Sequence, residues 1–130
     1  MLDSASMPSQ EILESFIRCV ESNDHVAAVE RFYTADSTMQ ENQNAPRVGR
    51  DAHAANERKV TGRTTKMSSQ CVRPVFVDGD RVVIRWNFEF DWKDGTYTRM
   101  DELAYQRWDG ELIAEETFFY DPAQRLPKPR

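Results

Sequence analysis

Residues 81–92 read RVVIRWNFEFDW. Val82, Ile84, Trp86, Phe88 and Phe90 fall on one side of a two-residue period, and Val83, Arg85, Asn87, Glu89 and Asp91 fall on the other. Such alternation marks a strand with one apolar face. Turns lie at both ends: Asp78-Gly79-Asp80 before it and Lys93-Asp94-Gly95 after it. Downstream, Thr96 to Trp108 reads as another strand, Asp109-Gly110 as a further turn and Glu111 to Tyr120 as the last strand. Upstream, Met67 to Val77 is a long strand signal that carries Pro74. Proline lacks a ladder donor, so this strand belongs at an edge or holds a bulge. Successive Asp-Gly turns predict sequential antiparallel pairing.

Before Met67 the period changes. Ser9 is placed to cap a helix over 10–22, with Ile12, Leu13, Phe16, Ile17 and Val20 at helical spacing. Asp24 is placed to cap a second helix over 25–33, which faces the core with Val26, Ala27, Val29, Phe32 and Tyr33. Thr38 to Glu41 reads as a short strand, and Asn42 to Val48 as a polar loop suited to a lid. Asp51 is expected to cap a third helix over 51–61, stopped by Gly62. Residues 1–8 and 125–130 read as tails around a domain over 9–124, with Pro122, Pro127 and Pro129 marking a chain that leaves the sheet. Helices first and a hairpin-linked meander afterwards predict an α+β fold with the helices on one sheet face.

A chain of 130 residues fits one domain. A net charge of −5 without a Lys/Arg run argues against nucleic acid as a partner. No apolar run approaches the length of a membrane span, and MLDSASMPSQ has neither the basic nor the apolar part of a secretion signal. The expected location is therefore cytoplasmic, with Cys19 and Cys71 as free thiols in a reducing compartment. His25 and His53 stand far apart, and no metal-ligand or cofactor-binding spacing is present, so neither a metal nor a cofactor is expected.

Four segments, FYTADSTMQEN at 32–42, VGRDAH at 48–53, VVIRWNFEF at 82–90 and RWDGELIAEETFFYDPAQ at 107–124, occur in an order that resembles the SnoaL-like family of the nuclear-transport-factor-2-like superfamily. The resemblance implies a cone of three helices and a strongly curved antiparallel sheet around one pocket. It also implies a homodimer through the outer sheet face. Val83, Thr98, Tyr105 and Phe119 are the expected contributors to that face. Activities in the superfamily include polyketide cyclisation, steroid double-bond isomerisation, epoxide hydrolysis and dehydration, while other members only bind or assemble. Fold transfers across such a family more safely than reaction does. Cyclases of the family place an acid on the strand before the Asp-Gly turn. Aligned through Asp109-Gly110, that position is Leu103, and the nearest acid on the same strand face is Asp101.

Asp101 is the leading candidate for acid–base work. It either enters the cavity, where burial would raise its pKa, or pairs with Arg85, Arg99 or Arg107 across neighbouring strands. Glu102 points to the opposite face from Asp101, and of Glu115 and Glu116 one faces out. His53 has the side chain for a general base near neutrality, or is an exposed first-turn residue. Tyr105 and Tyr120 can donate to an oxyanion, Tyr105 only if a bulge rephases its strand. Trp86 and Phe88 are expected to wall the pocket, with Leu103 beside them and Met39 and Glu41 at its mouth. Two functional classes follow: an acid–base isomerase, cyclase, dehydratase or hydrolase on a small hydrophobic or aromatic molecule, and a non-catalytic binding or dimerisation module. The first needs a buried acid or His facing an open cavity. The second predicts a cavity apolar throughout or filled by its own side chains.

Overall fold

The computed structural model describes residues 7–130. Most of the expected N-terminal tail, residues 1–6, lies outside them, and Pro8 is already buried. Helix α1 (Gln10–Glu21) starts where Ser9 Oγ accepts the Ile12 amide at 3.1 Å, and it buries Leu13, Phe16, Ile17 and Val20. Helix α2 (His25–Phe32) starts where Asp24 Oδ1 accepts the Ala27 amide at 3.0 Å. Both caps are those the sequence predicts. Strand β1 (Tyr33–Glu41) follows α2 with no break, so it begins earlier than the expected strand at Thr38. Helix α3 (Arg50–Thr61) starts from Gly49, whose φ of 104° only glycine adopts easily. Asp51 therefore sits within the first turn and does not cap it.

The supposed lid is a hairpin. Strand β2 (Arg47–Val48) pairs antiparallel with β1, and Gln40 Nε2 donates to the Asn44 carbonyl at 2.9 Å. After α3 come β3 (Thr64–Asp78), β4 (Arg81–Trp92), β5 (Thr96–Asp109) and β6 (Leu112–Phe119). These four form the antiparallel meander that the turns predict, within a sheet ordered β2-β1-β6-β5-β4-β3. β3 is the edge, and its register breaks between Val72 and Phe76, around Pro74. The sheet is mixed, because β1 lies parallel to β6 on its far side.

The C-terminal residues do not leave the sheet. Pro122–Arg125 forms a single 3-10 turn, and strand β7 (Lys128–Pro129) pairs with Thr96 and Tyr97 of β5. Gln124 supports this return by accepting the Asp101 amide at 2.6 Å and donating to the Asp101 carbonyl at 3.3 Å. The three helices cover the concave face, where Val82, Ile84, Trp86, Trp108 and Ile113 meet Phe16 and Ile17 in a closed core. Thr98 faces this side too, 5% exposed, and so cannot belong to the outer face as expected.

Candidate active site

Between the helices and the concave face lies a cavity of about 590 Å³. Its wall on β4 is the aromatic stripe itself. Trp86 stacks on Phe88 with ring centroids 5.5 Å apart, and Phe90 stacks on Trp92 at 5.4 Å. Alternate residues of one strand project to one face, so an even-numbered aromatic run becomes a continuous apolar surface. Phe16, Val20, Ala28 and Val29 close the opposite side. Met39 and Glu41 of β1 line the cavity with Trp86 and Phe88.

Two glutamates enter this apolar space from the meander. Glu116 of β6 is buried and fully bonded. The Tyr33 hydroxyl donates to one carboxylate oxygen in a short hydrogen bond, and Gln106 Nε2 donates to the other at 2.6 Å. Trp108 Nε1 donates to Gln106 Oε1 at 2.9 Å, which turns the amide so that its NH₂ group meets Glu116. Burial lifts Glu116 to a pKa of about 7, although the bonds from Tyr33 and Gln106 pull the other way. Tyr33 is held well above the ordinary tyrosine range by its own burial and by the carboxylate it faces.

Glu102 of β5 is 9% exposed and lines the cavity. Its carboxyl has no hydrogen-bond or ion-pair partner among the described residues, and burial lifts its pKa to about 8. Glu41, Glu116 and Glu57 push the same way, while Arg125 opposes them. Glu41 is raised as well, chiefly by burial, with Arg125 3.7 Å from it. Arg125 Nη1 also donates to the Tyr120 hydroxyl at 3.1 Å, so the C-terminal turn brings a cation to the cavity rim. Tyr120 is half-buried beside Glu41 but does not line the cavity.

The other expected residues lie elsewhere. Asp101 is on the convex face, where its carboxylate takes two hydrogen bonds from Arg85 at 2.9 and 2.7 Å. That guanidinium holds the Asp101 pKa below the ordinary range, so Asp101 is the outward pair of the two alternatives and not the cavity acid. Leu103 and Tyr105 share its face, 44% and 42% exposed, because no bulge rephases β5 before Arg107. His53 is neither exposed nor in the cavity. Its Nε2–H donates to the Ser37 carbonyl at 3.0 Å and its Nδ1 accepts from Arg47 Nε at 3.1 Å, so both nitrogens are occupied. Burial lowers its pKa, which leaves a neutral structural bridge with no free basic nitrogen. His25 lines the cavity, bonds Ser69 Oγ at 2.9 Å and meets the Phe88 ring at 5.3 Å.

Sequence reasoning weighed Glu102 and Glu116 but assigned neither to the site, and it missed Tyr33 and Gln106. The signal for Glu102 was in the turns. A three-residue turn centred on Asp94 pairs even-numbered residues of β4 with even-numbered residues of β5, so Trp86 faces Glu102 and Phe88 faces Met100. Across the next hairpin the turn pairs Trp108 with Ile113, and only the register shift between Arg107 and Trp108 brings Glu116 opposite Gln106. Once Trp86 is placed inward, Glu102 follows; Glu116 turns inward through the bulge, which the turn residues do not announce. Among the described residues no cluster of His, Cys, Asp and Glu is arranged to hold a metal, and no helix is long and apolar enough to cross a membrane.

The SnoaL-like domain family matches residues 13–116 of the chain. No curated protein sequence matches it. Among solved structures, a protein from Catenulispora acidiphila with a ketosteroid isomerase-like fold, in complex with trimethylamine, is 17% identical, with 89% of each chain covered and a TM-score of 0.73. A candidate SnoaL-like polyketide cyclase from Mesorhizobium loti is 22% identical over 85% of this chain and 97% of its own, with a TM-score of 0.70. An epoxide hydrolase of the LEH-like kind from M. tuberculosis is 15% identical over 95% of this chain and 86% of its own, with a TM-score of 0.72. At these identities the likeness is one of fold.

Proposed function

We propose that this chain, which belongs to the SnoaL-like domain family, is an acid–base enzyme that moves a proton on a small hydrophobic or aromatic molecule held in the cone. The observation that carries the reading is the pair of buried glutamates in one apolar cavity, poised at about 7 and about 8. A buried carboxyl costs folding free energy, and an apolar residue in its place would cost less. Such groups concentrate where proton transfer near neutrality is the task.

The two environments divide the labour. Glu116 has both oxygens fixed by donors that favour its ionised form, which suits a base that takes a proton from carbon. Glu102 has no donor and keeps its proton at pH 7, which suits an acid that gives one to a developing oxyanion. Taking a proton beside a carbonyl and returning one elsewhere is isomerisation, or dehydration when hydroxide leaves. The aromatic wall would orient the substrate and exclude water. A purely binding module fits less well, since binding alone does not call for a buried carboxylate held by two donors beside a second, free acid.

Two measurements test this. Carboxyl-carbon NMR titration of the labelled protein should give midpoints near neutrality for Glu102 and Glu116; midpoints near 4.5 overturn the reading. Exchange of the acidic carbon-bound protons of β-tetralone in D₂O should run faster with protein than with buffer. Glu116→Gln should lower that rate by about 100-fold. An unchanged rate in the variant, or no acceleration by the wild type, removes Glu116 as the base.

A further inference from the structure

We infer that the molecule held in this cavity carries an organic cation, seated between the Trp86–Phe88 stack and the carboxylate of Glu102. The inference rests on the cavity being the working site, as proposed above, but it needs no proton transfer: with a cation seated there, Glu102 is its counter-ion and no longer the acid. Trp86 and Glu102 are direct partners across the β4–β5 ladder, and Phe88 with Met100 is the next inward pair. Ring faces and carboxylate therefore occupy one patch of the cavity floor. Aromatic faces beside an acid are the surroundings that bind ammonium groups, through the ring quadrupole and the opposite charge together.

The resident cations leave that patch empty. Arg47 is committed to His53 Nδ1 and, at 3.3 Å, to Met39 Sδ. Arg125 is 60% exposed at the rim and held by Tyr120 and Glu41. Arg63 lies over Trp92, 6.0 Å from the ring centroid, at the far end of the stripe, and Lys93 follows Trp92 there. Glu102 remains nine-tenths buried, aimed into the cavity and unpartnered among the described residues. An anion would meet Glu41 from β1, Glu57 from α3 and Glu116 from β6, all of which line the cavity with Glu102. A neutral ligand would leave the Glu102 carboxyl desolvated without compensation. An ammonium neutralises it and loses its own hydration to the rings.

Binding then displaces the Glu102 proton. The charged groups that act on it are Glu41, Glu57, Glu116 and Arg125; His25 above Phe88, and Arg47, Arg63, Lys93 and Asp94, line the same cavity. Affinity for a cation should rise with pH until Glu102 is ionised, by up to about tenfold per pH unit.

The test compares choline with 3,3-dimethylbutan-1-ol, which has the same shape without the charge, using tryptophan fluorescence and NMR. Wild-type protein at pH 8.5 should prefer choline by at least tenfold, and the preference should shrink at pH 6. Glu102→Gln should remove the preference and keep the binding of the neutral alcohol. Equal affinities, no choline binding at millimolar concentration, or a preference that survives in Glu102→Gln each overturn the inference. β-Tetralone exchange reports on Glu116 and would persist in that event, so failure here is distinct from failure of the proton-transfer reading.

Discussion

Trp86 and Glu102 face each other across the β4–β5 ladder, a fully buried indole beside a carboxyl that has no partner among the described residues. The pairing ties Glu102 to stability as well as to ligand. In the unfolded chain this group ionises near 4.5; in the folded chain it does so near 8. The folded state holds the proton more tightly, so its contribution is complete below pH 4.5 and is lost as pH rises through 8. Glu102→Gln removes the charge that must otherwise be buried. At pH 8.5 the variant should exceed the wild type in stability by on the order of 3 kcal/mol, and at pH 5 the two should lie within about 1 kcal/mol. Urea midpoints at the two pH values check this. A variant that is less stable at pH 8.5 would show that Glu102 is not desolvated.

Asp101 provides the contrast one residue away. Its carboxylate and the Arg85 guanidinium are each 50% exposed, so water and salt screen the pair. Asp101→Asn should change stability by less than about 1 kcal/mol. It should leave both β-tetralone exchange and choline affinity as they are in the wild type. A tenfold fall in either would return Asp101 to the site.

The difference between these neighbours explains how far the sequence could be read. The meander, its turns and the caps at Ser9 and Asp24 depend on contacts a few residues apart, and local pattern announces them. The parallel pairing of β1 with β6 joins Met39 to Glu116 and has no local signal, because sheet curvature brings the two together. The return of β7 onto β5 is equally non-local. Within the site, the aromatic stripe was legible as far as Trp86 and Phe88. Asp101 took precedence over Glu102 only because a family alignment outweighed strand parity. His53 was unreadable for another reason. α3 is so polar that its buried residues are only His53 and Ala54, and no apolar period marks that face.

The convex face carries the next expectation. Leu103 pairs with Phe119, and Val83 with Tyr105, so apolar side chains lie together between the Arg85–Asp101 and Arg107–Glu115 ion pairs. We propose that a second copy of the chain covers this patch, since contiguous exposed apolar surface seeks a partner. Sedimentation at micromolar concentration should give twice the monomer mass, and Tyr105→Asp should shift the chain to monomer by placing like charges at the centre of a self-complementary contact. A monomeric wild type overturns the proposal.

Tyr33 tests the organisation of the base. It begins β1 directly after α2, and the extended backbone there carries its hydroxyl to Glu116, 83 residues further along the chain. Tyr33→Phe deletes one of the two donors that favour the ionised carboxylate, while the burial that disfavours it remains. The Glu116 midpoint should therefore move further up. The pH at which β-tetralone exchange reaches half its maximum should move up with it, since that limb reports ionisation of the base. At pH 7 the rate should fall by about tenfold or more. The lost bond should also destabilise the fold by about 1–3 kcal/mol, because one oxygen of a buried carboxylate is left without a donor. Gln106 cannot compensate. Trp108 Nε1 holds its amide oxygen, so its NH₂ is already spent on the other Glu116 oxygen. Carboxyl-carbon NMR of the variant decides the matter: a Glu116 midpoint equal to that of the wild type would mean that the tyrosine packs beside the carboxylate without tuning it.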